Sequence, residues 1–322
     1  MQKTQLFNLL PECFYTGVRN IKLPPSIAVL MYHEVLPDEF EIDAWTIVKE
    51  SDFRRQLEYI VGEFKVISID QALTLHQNND LGNEKLVVLT FDDGYFGAAS
   101  TIKDVAEEFS VPYTVYVASN AVQEQSLYWY DKVIVKCNEA GVDQIDFTEQ
   151  GLGKYRFRGL SGYRRWQVTQ SLLSDLKELE PEERGRLVEK HFFIDDRCPL
   201  RFMSVEELGE LSNNPLVTIG GHSHCHNRLN QLDPSNLLMT IGKNKELLQQ
   251  WTNRSVEHFS YPNGDYNSSI TKALVGHGYK TAVTTEPGVW KREENLYQIP
   301  RYAVGRYDPH GFFKAKLSGV FL

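Results

Sequence analysis

No apolar run in this sequence is long enough to cross a bilayer. The longest, "SIAVLMY" and "KLVVLTF", stop far short of the roughly 20 residues a membrane helix needs. The opening stretch "MQKTQLFNLLPECFYTGVRN" lacks a continuous apolar core and a small-residue cleavage site, so it does not read as a secretory signal. An excess of basic charge is missing too. The net charge is −9 with both signs mixed along the chain, which argues against a nucleic-acid or anionic-membrane partner. Cysteine is scarce: Cys13, Cys137, Cys198 and Cys225 show no paired spacing, as suits reduced thiols. These absences together predict a cytoplasmic protein, free or peripheral to the inner membrane. Internal repeats and low-complexity tracts are absent as well.

What is present is an alternation of apolar strands and amphipathic segments. "SIAVLMYH" (26–33) reads as a buried strand, "SDFRRQLEYIVGEF" (51–64) as a helix capped by Ser51, and "KVISI" as a second strand. A short helix near 70–77, the strand "KLVVLTF", a helix over 95–110 and the strand "PYTVYVAS" follow. Later come "LVTIG", a helix with Asp233 as cap and Pro234 in its first turn, "VEHFSYP", another helix, and "YKTAVTT". Strand–helix repetition of this kind implies a parallel sheet covered by helices. A count of seven or eight strands favours an α/β fold built as a distorted (β/α) barrel with about seven parallel strands. The expected organisation is an N-terminal extension over 1–25 and one barrel over 26–322. Residues 120–205, rich in aromatics, glycines and polar helices, break the rhythm and read as a long insertion after the fourth strand.

Two motifs carry chemistry. In "VVLTFDDGYF" a strand ends in the adjacent carboxylates Asp92 and Asp93, followed by Gly94. Neighbouring side chains of extended backbone point to opposite faces, and like charges at this separation repel, so a cation is expected nearby. Gly94 lets the chain leave the strand so that both carboxylates face inward. The stretch "TIGGHSHCHNRL" supplies His222, His224 and His226 at the end of another strand. In parallel barrels the C-terminal strand ends form the active-site mouth. Two imidazoles and one carboxylate suit a divalent metal with open positions, zinc by default and cobalt, nickel or manganese as alternatives. One aspartate can then bind the metal while its neighbour serves as base toward water. A solvated turn and a surface histidine cluster are the plainer readings of either motif alone.

"TFDDG" followed by "HSHCH" resembles the polysaccharide deacetylases of carbohydrate esterase family 4, the NodB-homology family, and "FSYPNGDY" is similar to its aromatic–Pro–x–Gly motif. The resemblance covers roughly residues 26–120 and 205–305. It implies Asp92 as catalytic base, Asp93, His222 and His226 as metal ligands, and Ser223 as a brace for the histidine loop. It also implies an oxyanion contact from the Asn263 backbone N–H, beside Tyr261. His224 falls at a position the family leaves free. The arginine that usually opens the third motif is replaced by Ser260, and the usual terminal histidine is missing from "LYQIPRYAVG". The opening "MYH" (31–33) resembles the subset that includes poly-N-acetylglucosamine deacetylases. His33 is therefore the expected general acid, with His310 as rival, and Arg301 a surrogate partner for Asp92. Tyr128, Trp129, Tyr130 and Trp290 are either sugar-stacking positions or core. The implied activity is metal-dependent removal of N-acetyl groups from an amino-sugar glycan or a nucleotide- or lipid-linked precursor. Hydrolysis of a small non-sugar amide, and glycan binding by a degenerate member without activity, are the alternatives.

Overall fold

The computed structural model describes residues 25–195 and 198–318. Cys13 and the expected extension up to residue 24 lie outside the described residues. In chain order the elements that frame the site are β1 (Ser26–Tyr32), β2 (Glu34–Leu36), β3 (Ile47–Lys49), α1 (Glu50–Glu63), β4 (Lys65–Val66) and α2 (Ile69–Gln77). Next come β5 (Leu86–Phe91), α3 (Thr101–Phe109), β6 (Tyr113–Val117), α4 (Ser119–Glu124), α5 (Trp129–Asn138), β7 (Gln144–Asp146), β8 (Lys154–Arg156), α6 (Gly162–Lys177) and α7 (Pro181–His191). The chain closes with α8 (Val205–Leu211), β9 (Val217–Gly221), α9 (Pro234–Thr252), β10 (His258–Ser260), α10 (Ser268–Gly276), β11 (Thr281–Val283), β12 (Trp290–Lys291), β13 (Tyr302–Ala303) and α11 (His310–Leu317).

Strands β11, β10, β9, β6, β5 and β1 lie side by side and all run parallel. A single irregular stretch then joins the two edges. Ile299 exchanges backbone hydrogen bonds with the β11 segment, through Ala282 and Thr284, while Tyr302 and Ala303 pair with Leu30 and Met31 of β1. The sheet thus curls into a distorted barrel of seven parallel strands, with β12 added antiparallel to β1 and β4 alongside the start of β5. The strand expected over "KVISI" shrinks to these two residues, because α2 begins at once behind a capping box of Ser68 and Gln71.

Both faces of the strands are buried, as a parallel sheet under helices requires. Ala28, Leu30, Tyr32, Val87, Leu89 and Phe91 pack beneath the helices, whereas Ile27, Val29, Leu86, Val88, Tyr116 and Trp290 fill the barrel interior. Trp290 is fully buried there and pairs with Ile27, at the opposite end of β1 from His33. The structure removes it from the expected substrate residues.

Two local expectations shift. Helix α1 starts one residue before Ser51, with Lys49 in the cap position, and the Ser51 N–H donates to Asp38 Oδ1. The helix expected over 95–110 is broken into a 3-10 turn, Phe96–Ala99, and α3. The break has a cause: Phe96 N–H donates to the Arg201 carbonyl and Gly97 N–H to Glu34 Oε2, which holds the turn off the helical axis.

Residues of the aromatic and polar region after α4 build α5, the hairpin β7–β8, α6 and α7 around their own apolar cluster, which includes Val133, Phe147, Phe157, Leu172 and Phe192. A second cluster, with Ile134, Trp166, Leu200 and Phe202, packs it onto Leu36, Ile47 and Tyr95.

Candidate metal and catalytic centre

The period-two alternation of β5 carries the inward row Leu86 and Val88 on through Thr90 to Asp92, so Asp92 enters the barrel mouth without any bend. Asp93 would face outward. A left-handed backbone, φ 77°, turns it back in, and Gly94 follows at φ 90°. A Cβ on Gly94 would lie 3.0 Å from Val117 Cγ1, so this turn also needs the missing side chain. Both carboxylates are buried, each 3 % exposed.

Asp93 Oδ1 lies 3.2 Å from His222 Nε2 and 3.2 Å from His226 Nε2. Among the described residues these three form a group able to hold a metal, with ligand atoms all within 4.8 Å of one another. The donor chemistry fits a cation. His222 Nδ1 lies 2.7 Å from the Ser260 carbonyl, so that nitrogen carries the proton and the neutral ring presents a lone pair to Asp93. Asp93 Oδ1 is buried and has no hydrogen-bond partner among the described residues. A lone pair facing a carboxylate in a buried pocket is repulsive unless a proton or a metal lies between them. Burial opposes protonation of His222, but Asp93 and Asp92 outweigh it and raise its pKa; burial likewise opposes ionisation of Asp93, yet the two imidazoles hold its carboxyl well below the usual range.

The histidine loop is held from within. Ser223 and His226 both adopt left-handed backbone, and Ser223 Oγ accepts the His226 N–H at 3.1 Å. His224 turns away: its Nδ1 pairs with Ser119 Oγ at 2.8 Å and its N–H donates to the Thr240 carbonyl.

Beside the triad, Arg301 grips Asp92 with two parallel bonds of 2.8 and 2.7 Å, and it is fully buried. Its remaining donors reach Thr90 Oγ1, the Thr284 carbonyl and Ser260 Oγ. Ser260 Oγ in turn donates to Asp92 Oδ2 at 3.1 Å. Ser260, at the end of β10, thus works with Arg301, the residue just before β13. Burial pushes the Asp92 carboxyl up, but Arg301 outweighs it, and the group stays ionised below the usual carboxylate range. His33 continues the inward row of β1; burial lowers its pKa against the pull of Asp93 and Asp92. Its Nδ1 is buried with no partner among the described residues.

Other expected residues lie elsewhere. His310 packs edge-on to Tyr59 of α1 and against Phe313, in the outer helical layer. Tyr261 is fully buried, with its hydroxyl donating to the Tyr297 carbonyl and its ring on Tyr266, so it faces away from the mouth. Asn263 takes a left-handed conformation, φ 57°, at the exposed edge of the site.

Two groups escaped the sequence reading. Glu34, 1 % exposed, accepts the N–H groups of Val35 and Gly97 and ties β2 to the turn after Asp93; a Cβ on Gly97 would meet its Oε1 at 1.7 Å. Asp131, on α5, accepts the Tyr95 hydroxyl at 2.8 Å and the Tyr128 N–H at 3.3 Å, and burial raises its pKa well above the carboxylate range. Tyr128 itself stacks on His226, ring centroids 5.0 Å apart. The sequence held one signal for this, a lone carboxylate inside the aromatic run "LYWYDKV".

A distorted parallel barrel with an aspartate and two histidines at its C-terminal mouth defines the class as that of α/β barrels whose mouth carries a group able to hold a metal. Comparison with known proteins sharpens this. The family model for polysaccharide deacetylases matches residues 182–282. A Bacillus subtilis protein that bears the provisional name polysaccharide deacetylase YxkH is 30% identical over 102 residues, which make up 32% of this chain and 36% of that relative. The match therefore spans about a third of that relative's length. The fold is also that of the Streptococcus pyogenes deacetylase PplD, solved with acetate (TM-score 0.62, 16% identity, 92% of this chain and 99% of that one). It is shared by IcaB from Ammonifex degensii (TM-score 0.61, 15% identity, 91% and 97%). The chain is thus similar to polysaccharide deacetylases over residues 182–282, and it shares the fold of a solved deacetylase.

Proposed function

We propose that the protein is a metal-dependent hydrolase that removes N-acetyl groups from amino sugars within a glycan or glycan precursor. One observation carries the reading: a three-ligand group with an unpaired Asp93 oxygen sits next to a second carboxylate, Asp92, held ionised by Arg301. Zinc is the cation that two imidazoles and a carboxylate suit best. A divalent ion held by Asp93, His222 and His226 supplies Lewis acidity toward an acetamide oxygen and toward water.

The chain's own residues do the rest. Asp92 accepts the proton that water loses on attacking the carbonyl carbon, and Arg301 and Ser260 fix the orientation of its carboxylate. The Asn263 backbone N–H donates to the anionic oxygen of the tetrahedral intermediate, a contact worth ~3–4 kcal/mol in comparable sites. His33 carries the proton that the departing amine requires. Acetate and a free amino sugar leave. Replacing Asp92 by Asn tests the scheme: acetate release from N-acetylglucosamine oligomers should fall by about a thousandfold or more, while calorimetry still shows one zinc bound. Full activity in the variant would refute the base assigned to it.

A further inference from the structure

Asp92 is fixed by Arg301 and Ser260, and His222 by the Ser260 carbonyl. The buried Nδ1 of His33, by contrast, has no partner among the described residues. An imidazole that moves a proton ordinarily has its second nitrogen tied by a hydrogen bond. Here packing stands in for that bond. The Trp45 indole meets the His33 ring edge-on, with centroids 6.2 Å apart and planes at 71°. Trp45 lies between β2 and β3, next to the fully buried Ala44, and is itself partly exposed. Its ring is seated against Gly305: a Cβ there would collide with Nε1, Cε2 and Cδ1 of the indole, the last at 2.7 Å. The backbone holds the same two segments together, since the Arg306 N–H donates to the Trp45 carbonyl at 3.0 Å. The stretch is also anchored from the insertion. Asp43 N–H donates to Asn138 Oδ1 at 2.8 Å, and Asp43 Oδ2 accepts the Gly162 N–H at 2.6 Å, so the end of α5 and the start of α6 hold the segment that carries the indole. Asp92, Asp93, Arg301 and His222 are the charged and titratable groups around the imidazole.

We propose that Trp45 is a positioning residue for the reaction: its indole, seated on Gly305, holds the His33 ring in place at the mouth and keeps water off one side of it. The insertion braces that indole by way of Asp43. This rests on the general acid assigned above. The test compares the zinc-loaded native chain with Trp45→Ala, Trp45→Phe and Gly305→Ala in two measurements. In acetate release from N-acetylglucosamine oligomers, Trp45→Ala should lower kcat about tenfold or more with KM within about twofold, as misplacement of a group that acts only in the transition state does. Trp45→Phe keeps an aromatic edge and should recover most of the rate. Because Trp45 also packs on the cluster around Leu36 and Phe202, Gly305→Ala is the variant that leaves the indole in the chain but pushes it off its seat. It should repeat the loss. The second measurement needs no turnover. Carbethoxylation of His33 by diethyl pyrocarbonate, followed by peptide mass spectrometry, should run severalfold faster in Trp45→Ala and Gly305→Ala and at the native rate in Trp45→Phe. With an active native chain, an unchanged kcat in Trp45→Ala, or a loss confined to KM, overturns the proposal and keeps the deacetylase. With no acetate released from any oligomer the deacetylase falls, and His33 reactivity alone decides: faster modification in Trp45→Ala keeps Trp45 as the support of His33, and equal rates discard it too.

Discussion

Asp92 shares one buried cluster with Arg301, Ser260 and Thr90, and the pairing there sets both stability and protonation. Replacing Arg301 by Met leaves a carboxylate buried without its partner, which should destabilise the fold by about 3–5 kcal/mol, read as a lower urea midpoint. The same change lifts the factor that holds Asp92 ionised. Its pKa rises, and since a base works only when deprotonated, the acid limb of the pH–rate profile should move toward higher pH. An unmoved limb would detach Arg301 from the base. In the proposed scheme His33 acts in the opposite protonation state. A general acid works only when protonated, so the limb it sets falls as pH rises. His33→Ala should remove that basic limb and lower kcat about a hundredfold or more; a normal rate with the limb intact would exclude it. Asp92, Asp93, His222 and His226 were legible because their types and spacing are chemically unusual. Ser260 and Arg301 were visible only as departures from a pattern, since no spacing rule links positions 41 residues apart in sequence.

At the scale of elements, the group of Asp93, His222 and His226 depends on two turns with left-handed backbone and on the ring of Tyr128, which caps α5. Tyr128 stacks on His226 while Asp131 holds the Tyr128 N–H and the Tyr95 hydroxyl, so the start of α5 grips both the histidine loop and the turn after Asp93. Tyr128→Leu should weaken zinc binding about tenfold to a hundredfold, as loss of support behind a metal ligand does. Tyr128→Phe, which keeps the ring, should restore it. Equal zinc affinity in all three proteins, by competition with a chromogenic chelator, would show that the stacking is idle. Strands β1, β5 and β6 and the capped helix α9 were plain in the sequence, because apolar runs and an Asp-Pro start are local signals. The 3-10 break at Phe96–Ala99 was not, because its cause is a pair of distant acceptors, Glu34 and the Arg201 carbonyl.

For the molecule as a whole, Glu34 predicts a pH dependence of folding. Burial pushes its carboxyl up to about 8 from 4.5. A raised acid favours the folded state while protonated, so its stabilising share is full below the unfolded value and is lost as pH rises through about 8. Urea unfolding of chelator-treated protein between pH 5 and 9 should show a decline on the order of a few kcal/mol that is flatter in Glu34→Gln. Parallel slopes would mean that Glu34 ionises as a free glutamate does. Among the described residues no helix is long and apolar enough to cross a membrane. The sequence by itself determined the strand–helix alternation, and with it the parallel barrel and the side of it on which Asp92, Asp93 and the histidines would emerge, because period and strand direction are local properties. Only the tertiary structure decided that residues 299–304 stitch β11 to β1 and thereby deliver Arg301 to Asp92. It also placed Trp290 in the interior and Tyr128 on His226. Those contacts follow from which distant surfaces fill the same space, and packing of that kind leaves no periodic mark on the chain.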